Sequence, residues 1–314
     1  GDFMAQAIAF RRTAIDAGYL ARSIPKRYGG SEQPADPLAA QIIREEFLRA
    51  RAPMEQPGIG TMMLVPTLLE RGEEWMKEKW VESTVLGQTI WCQGYSEPGS
   101  GSDLASLSTR ADRDGDDYVI NGQKIWTSVA HLADWCLLLT RTDPSAPKHK
   151  GITAMLVDMK SAGIEVKPLK QMTGESGLNE VFLSNVRVPV ANQLGEENDG
   201  WRVTNVTLRF ERGTAFASEM IQLQQFVRDL IDLAKRVQRN GVPAWEDPEL
   251  RRKIGHFSAE LDALWAMVKL SVCQSSKTGV PGLGGSAIKL FYTELYQRIA
   301  ELGIELLGRA RLVR

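Results

Sequence analysis

The chain has 314 residues, more than one ordinary hydrophobic core serves, so two or three domains are expected. It is 43% hydrophobic and 25% charged, with 38 basic against 39 acidic residues and a net charge of -1. That balance excludes capture of nucleic acid or an anionic membrane by bulk charge, so an anionic ligand must be held by a few placed groups.

The opening stretch, GDFMAQAIAFRRTAIDAGYL, reads as a helix already in progress, and the closing ELLGRARLVR carries no stop signal. Both ends are expected to be cuts in a longer natural protein. No apolar run reaches membrane-spanning length and no signal-peptide pattern opens the chain, which predicts a cytoplasmic protein without membrane insertion. Up to about residue 87 the periodicity is helical, with Ile42, Ile43, Phe47 and Leu48 at helical spacing and Trp75–Trp80 in another amphipathic segment. From about 88 to 198 the pattern turns to short β-rich runs. Tyr118–Ile120 and Gln123–Trp126 flank Asn121-Gly122, a hairpin signal, and Trp135–Thr140, Ile152–Val157, Ile164–Val166 and Val181–Val188 read as further strands. Such strands predict an antiparallel barrel or sandwich.

From about 199 to the end the chain is helical again. Leu223, Phe226, Val227, Leu230, Ala234 and Val237 form one stripe; Leu261, Leu264, Trp265, Val268 and Val272 a second; Ile288, Phe291, Leu295, Ile299, Leu302 and Leu306 a third. The expected fold is α+β and multi-domain: an N-terminal α-helical domain over 1–87, a middle antiparallel β-barrel or sandwich over 88–198, and a C-terminal four-helix bundle over 199–314.

Cys92, Cys136 and Cys273 are far apart among apolar neighbours, which predicts small buried filler in a reducing compartment and neither a disulfide framework nor a metal site. His131, His149 and His256 form no cluster. Gly282–Gly285 lies between helices, not after a strand, so it is no dinucleotide fingerprint. Gly94–Pro98 nearly makes a nucleophile elbow, but Pro98 takes the place of the last glycine.

The richest signal is Gly94–Ser106, GYSEPGSGSDLAS. Such a loop brings backbone N–H groups close to a phosphate, a pyrophosphate or a heteroaromatic edge, because glycine removes the Cβ obstacle. Composition alone favours a flexible solvent loop. The order of residues adds more: this stretch, then NGQKIWTS, then GLNEVFLSNVRVPVANQLGEENDGW, resembles the flavin-binding segments and the domain junction of the acyl-CoA dehydrogenase family. The resemblance spans nearly the whole chain and implies FAD as cofactor and an acyl-CoA substrate in fatty-acid and lipid metabolism.

Residue by residue, the resemblance puts Gln93, Tyr95 and Ser96 at the pyrimidine side of the flavin, and Ser102 near the pyrophosphate and the thioester ligand. Trp126 and Ser128 flank the reactive nitrogen; a core tryptophan is the alternative for Trp126. In LRFERG, Glu211 matches the isovaleryl- and long-chain-type position of the catalytic base, and Arg212 supports the substrate site. Without the resemblance, both would read as a charged pair on a solvated helix face.

The chain also departs from the family pattern. The arginine-Phe-Gly segment is missing, with Arg251 and Arg252 as stand-ins; Arg209 stands where some members have an acid; the terminal glycine-rich stretch is absent. The resemblance further implies an electron-transfer flavoprotein as acceptor and a homodimer, homotetramer or heterotetramer. The alternatives are a flavin oxidase or monooxygenase on the same fold, and a non-catalytic or co-catalytic subunit of a heteromer.

Overall fold

A computed structural model describes residues 2–53, 58–214, 216–278 and 285–308, and the side chains of all these except 2, 37, 211–214, 216–218, 275, 276 and 278. In chain order, α1 is Asp2–Asp16, α2 Pro37–Arg49, α3 Val65–Arg71 and α4 Glu74–Val85. The strands are β1 Trp91–Gly94, β2 Arg110–Asp114, β3 Asp117–Ser128, β4 Trp135–Arg141, β5 Ile152–Asp158, β6 Ile164–Leu169, β7 Leu178–Pro189 and β8 Gln193–Leu194. Next come α5 Gly200–Thr214 and α6 Phe216–Arg236, then a two-strand ribbon of β9 Gln238–Arg239 and β10 Val242–Pro243. Finally α7 is Pro248–Thr278 and α8 Gly285–Leu307.

Packing divides the chain into two units: Gly1–Ala35 with Pro53–Glu211, and Asp36–Ala52 with Arg212–Arg314. The first unit holds an eight-stranded sheet in the order β6-β7-β3-β2-β4-β5-β8, with β1 added beside β4. Most pairs are antiparallel, as expected, but β1 and β2 both meet β4 in parallel. One face of the sheet buries Tyr118, Ile120, Leu138, Val181 and Val186. A second core joins the α3–α4 region to the sheet through Leu64, Leu68, Met76, Trp80, Trp91 and Leu137, and includes Val203 of α5. There Trp80 packs edge-on against Trp91 and Trp135 at centroid distances of 5.7 and 5.0 Å.

The second unit is built on the three apolar stripes. Leu223, Leu230 and Ala234 of α6 meet Leu264 and Val268 of α7 and Leu295 and Ile299 of α8 in one buried cluster. Helix α2 packs on α6; it starts at an Asp36 cap whose carboxylate accepts from Ala39 N at 2.9 Å, with Pro37 in the first turn.

Two expectations need correction. Asn121-Gly122 is no hairpin turn: β3 runs straight through it, and the chain reverses between β2 and β3 at Gly115-Asp116. The reason lies in β7, where an extra residue bulges out opposite Ile120–Gly122 and Asn185 takes φ +52. Asn121 pairs with that bulge, donating to Asn185 Oδ1 and accepting from Asn185 N at 2.8 Å. Gly122 is required because a Cβ would come 2.7 Å from Thr109 Cα. Cys273 is exposed, not buried filler; Cys92 and Cys136 are buried and oppose each other in the β1–β4 ladder.

Candidate functional site

Strand β1 delivers Gln93 and Gly94 to the sheet edge, and the glycine-serine loop starts at once. Glu97 and Ser100 close a tight turn by exchanging backbone hydrogen bonds of 2.8 and 3.0 Å around Pro98-Gly99. The loop is then pinned by charge. Lys124, on β3, is fully buried and donates to Glu97 Oε1 at 2.8 Å and to Tyr95 O at 3.1 Å. Glu97 also accepts from Ser108 N, Ser108 Oγ and Thr109 N at 2.7–2.8 Å. Burial pushes its carboxyl up, but Lys124 and the donors of Thr109 and Ser108 outweigh that and hold it at about 2. Arg141 secures the far side of the loop, donating to the carbonyls of Ala105, Leu107 and Lys148.

Facing this loop, β3 breaks its pairing with β7 between Lys124 and Thr127, where one extra residue bulges out. Ile125 N turns to Ser96 O at 2.9 Å, which joins the loop to the bulge. Trp126 is thrown outward, 59% exposed, with φ +60. Three residues on, Val129 has φ +53, and a β-branched residue there is strained. Strain of this kind clusters at functional sites. The segment is held in place where Asn179 donates to Thr127 O at 2.9 Å and Val129 N donates to Gly177 O at 2.8 Å.

The structure therefore brings Gln93, Tyr95, Ser96, Trp126 and Ser128 into one neighbourhood: the loop after β1 and the bulged end of β3. Trp126 is not a core residue. Ser102 lies exposed on the outer part of the loop. Tyr95 is buried, and burial pushes its hydroxyl up; Thr207, Gln93 and Thr204 lie around the oxygen, none in hydrogen-bond geometry with it. Thr204 and Thr207 belong to α5, which continues through position 211, one turn beyond Thr207. The side chains of Glu211 and Arg212 lie outside the described residues. Arg209 pairs with Glu70, while Arg251 and Arg252 pair locally with Glu246 and Glu249 on an exposed helix start.

The buried Glu97–Lys124 pair and Arg141 were not singled out from sequence. Strand alternation could have found Lys124: it shares parity with Tyr118 and Ile120, the inward residues of β3.

The chain matches "Acyl-CoA dehydrogenase, N-terminal domain" over residues 3–88, the middle domain over 92–186 and the C-terminal domain over 198–312. It is 34% identical over 301 residues to acyl-CoA dehydrogenase IpdE1 of Mycobacterium tuberculosis, covering 96% of this chain and 76% of the relative. Against acyl-CoA dehydrogenase FadE34 of the same organism it is 45% identical over 233 residues, covering 72% of this chain but only 32% of that longer protein. Among solved structures, the Tcur3481-Tcur3483 steroid ACAD superposes with a TM-score of 0.82 at 31% identity, covering 98% of this chain and 78% of that one. This chain belongs to the acyl-CoA dehydrogenase family, an oxidoreductase family, and its cofactor is FAD.

The residues present fit that group. Among the described residues, the amides of Gly99, Gly101, Ser102 and Asp103 donate to no other backbone group, which leaves a set of N–H groups for a pyrophosphate. A Cβ added at Gly99 or Gly101 would meet nothing within 4 Å, and neither has a positive φ, so the fold itself does not demand glycine there. Gln93 Nε2, Ser100 Oγ and Thr127 Oγ1 are buried without hydrogen-bond partners, polar atoms ready for a ligand edge. Among the described residues no helix is long and apolar enough to cross a membrane.

Proposed function

We propose that the chain dehydrogenates an acyl-CoA thioester across its α,β carbon–carbon bond to give the trans-2-enoyl thioester. The observation that carries this reading is the pairing of the glycine loop with the strained, outward Trp126, a polar cradle beside an exposed aromatic plane. Bound FAD would supply the acceptor for the β-hydride. Gln93, Tyr95 and Ser96 would hold its pyrimidine side, Ser102 the pyrophosphate and thioester region, and Trp126 and Ser128 the reactive side of the ring. Trp126 excludes water from that face by its area alone.

Glu211 takes the α-proton in this reading, and Arg212 supports the substrate site. Supporting this is the course of α5, whose Thr204 and Thr207 face Tyr95 two turns and one turn before position 211. The fitting substrate class is an acyl-CoA with a bulky polycyclic group, by similarity to the Tcur3481-Tcur3483 steroid ACAD. Tcur3481-Tcur3483 is named for two components, which favours a second reading in which this chain works as one subunit of a heteromer.

Replacing Glu211 by Gln should leave FAD bound and slow its bleaching by substrate by roughly 10²–10⁴-fold. Retained bleaching would place the base elsewhere. Light scattering on the chain alone and with candidate partners separates homomer from heteromer. Reoxidation of substrate-reduced protein in air, with and without an electron-transfer flavoprotein, separates dehydrogenase from oxidase.

A further inference from the structure

Lys124 and Glu97 bury an ion pair inside the sheet, and Glu97 also ties down Ser108 and Thr109. A buried ion pair adds little stability over hydrophobic residues of similar volume, because desolvation offsets the attraction. Around Lys124 the sheet interior is apolar, lined by Leu138, Val157, Val181 and Leu183. Burial lowers the lysine's pKa, and Glu97 acts against that fall. The position of the ammonium is informative: among the described residues it donates to Glu97 and to Tyr95 O, the latter at 3.1 Å.

That oxygen belongs to the peptide unit whose other end is Ser96 N–H. Among the described residues, Ser96 N–H has no partner. The peptide is a resonance unit, so a cation held at its oxygen draws charge from the nitrogen and makes the N–H a stronger donor. In a dry interior the lysine charge is weakly screened, and so is the opposing charge of Glu97.

We propose that Lys124 and Glu97 form a charge lever that sets the reduction potential of the FAD held by this loop. Lys124 acts through the Tyr95–Ser96 peptide, and Glu97 tempers it. The inference rests on the FAD reading of the loop above. Both are positioning residues, since each acts through the backbone of Tyr95 and Ser96. Charge beside a flavin ring is a means by which a protein tunes its electronics. Extra positive charge favours the electron-rich reduced state, and extra negative charge disfavours it.

The test is the midpoint potential of the FAD-loaded protein, by anaerobic titration with reference dyes. Lys124→Met leaves Glu97 unbalanced and should lower the potential. Glu97→Gln leaves Lys124 unbalanced and should raise it. Each shift should correspond to about a tenfold change in the reduced-to-oxidised equilibrium, about 30 mV for a two-electron couple. The double variant should lie between the two. A purely structural role predicts no such opposition of sign, so shifts of the same sign, or none, would overturn the proposal. Glu97→Gln keeps an acceptor for Lys124 and Thr109 and decides alone if Lys124→Met fails to fold: a potential at or below wild type overturns the lever. Wild-type protein that neither acquires visible absorbance nor loses tryptophan fluorescence on titration with FAD would instead overturn the FAD reading itself.

Discussion

The α6–α8 bundle and the loop after β1 are built on opposite rules. In the bundle, Leu223, Leu264, Leu295 and Ile299 satisfy one another completely, and the charged pairs, such as Lys253–Glu305 and Arg252–Glu249, stay on the surface. In the loop the strongest tie is a buried charge pair, the backbone is strained nearby, and amides and side-chain polar atoms are left without partners. An element whose contacts close on themselves does structural work. One that leaves buried polar atoms open is shaped for something that arrives later.

The largest expected effects test whether the two regions respond to damage differently. Lys124→Met should destabilise by about 3–5 kcal/mol, because it strands a buried carboxylate. Leu295→Ala should cost about 2–5 kcal/mol through lost burial and a cavity. The magnitudes overlap, but the second substitutions do not. Adding Glu97→Gln to Lys124→Met should recover much of the loss, since the stranded charge is gone. No change of charge repairs the bundle. Urea unfolding of the single and double variants would show it, and a double variant as damaged as the summed singles would erase the contrast.

Acid should separate the regions next. Glu97 is held at about 2, below its ordinary 4.5, so its stabilisation is complete above about pH 5 and lost as pH falls through 2. That shift corresponds to about 3 kcal/mol before the cost of burying Lys124 is counted. Glu97→Gln should be less stable than wild type at pH 6, with the gap closing towards pH 2. A gap that stays constant between pH 6 and 2 would mean that Glu97 is not ionised in the fold.

The bundle was also the more legible region in the sequence. Most residues of its three stripes are buried in one cluster, because helical periodicity is a local signal and one apolar face is enough to specify a packed helix. The sheet was legible in β3 to β7, with β3 read as two strands, but β1, β2 and β8 were not named and nothing local to Trp91–Gly94 says that it runs parallel to β4. Asn121-Gly122 misled because a bulge in β7, remote in sequence, decides its conformation. In the loop, residue order pointed to the family, whereas the Glu97–Lys124 tie depends on two residues 27 positions apart meeting in the interior.

A smaller effect concerns the strain at the bulged end of β3. Val129 holds φ +53, which costs a β-branched residue roughly 1–2 kcal/mol. Asparagine tolerates that conformation. Val129→Asn should therefore gain about 0.5 kcal/mol after loss of the half-buried methyl groups, a rise of about 1–2 °C in melting temperature. A lower melting temperature would show that packing, not backbone strain, governs the position.

The smallest expected stability effect is the sharpest probe of the contrast, and it falls on Gly101. A Cβ there meets nothing within 4 Å and its φ is not positive, so alanine adds neither a clash nor backbone strain to the protein itself. Gly101→Ala should leave unfolding of the cofactor-free protein within about 0.5 kcal/mol of wild type. If the empty space belongs to FAD, the same methyl group must keep the ligand from the free amides of Gly101 and Ser102, and affinity for FAD should fall. A bundle position such as Leu264 should behave in reverse, with stability lost first and binding affected only through it. Equal FAD affinity for Gly101→Ala and wild type would mean that the glycine is there for neither fold nor ligand, and the outer part of the loop would lose its place in the site.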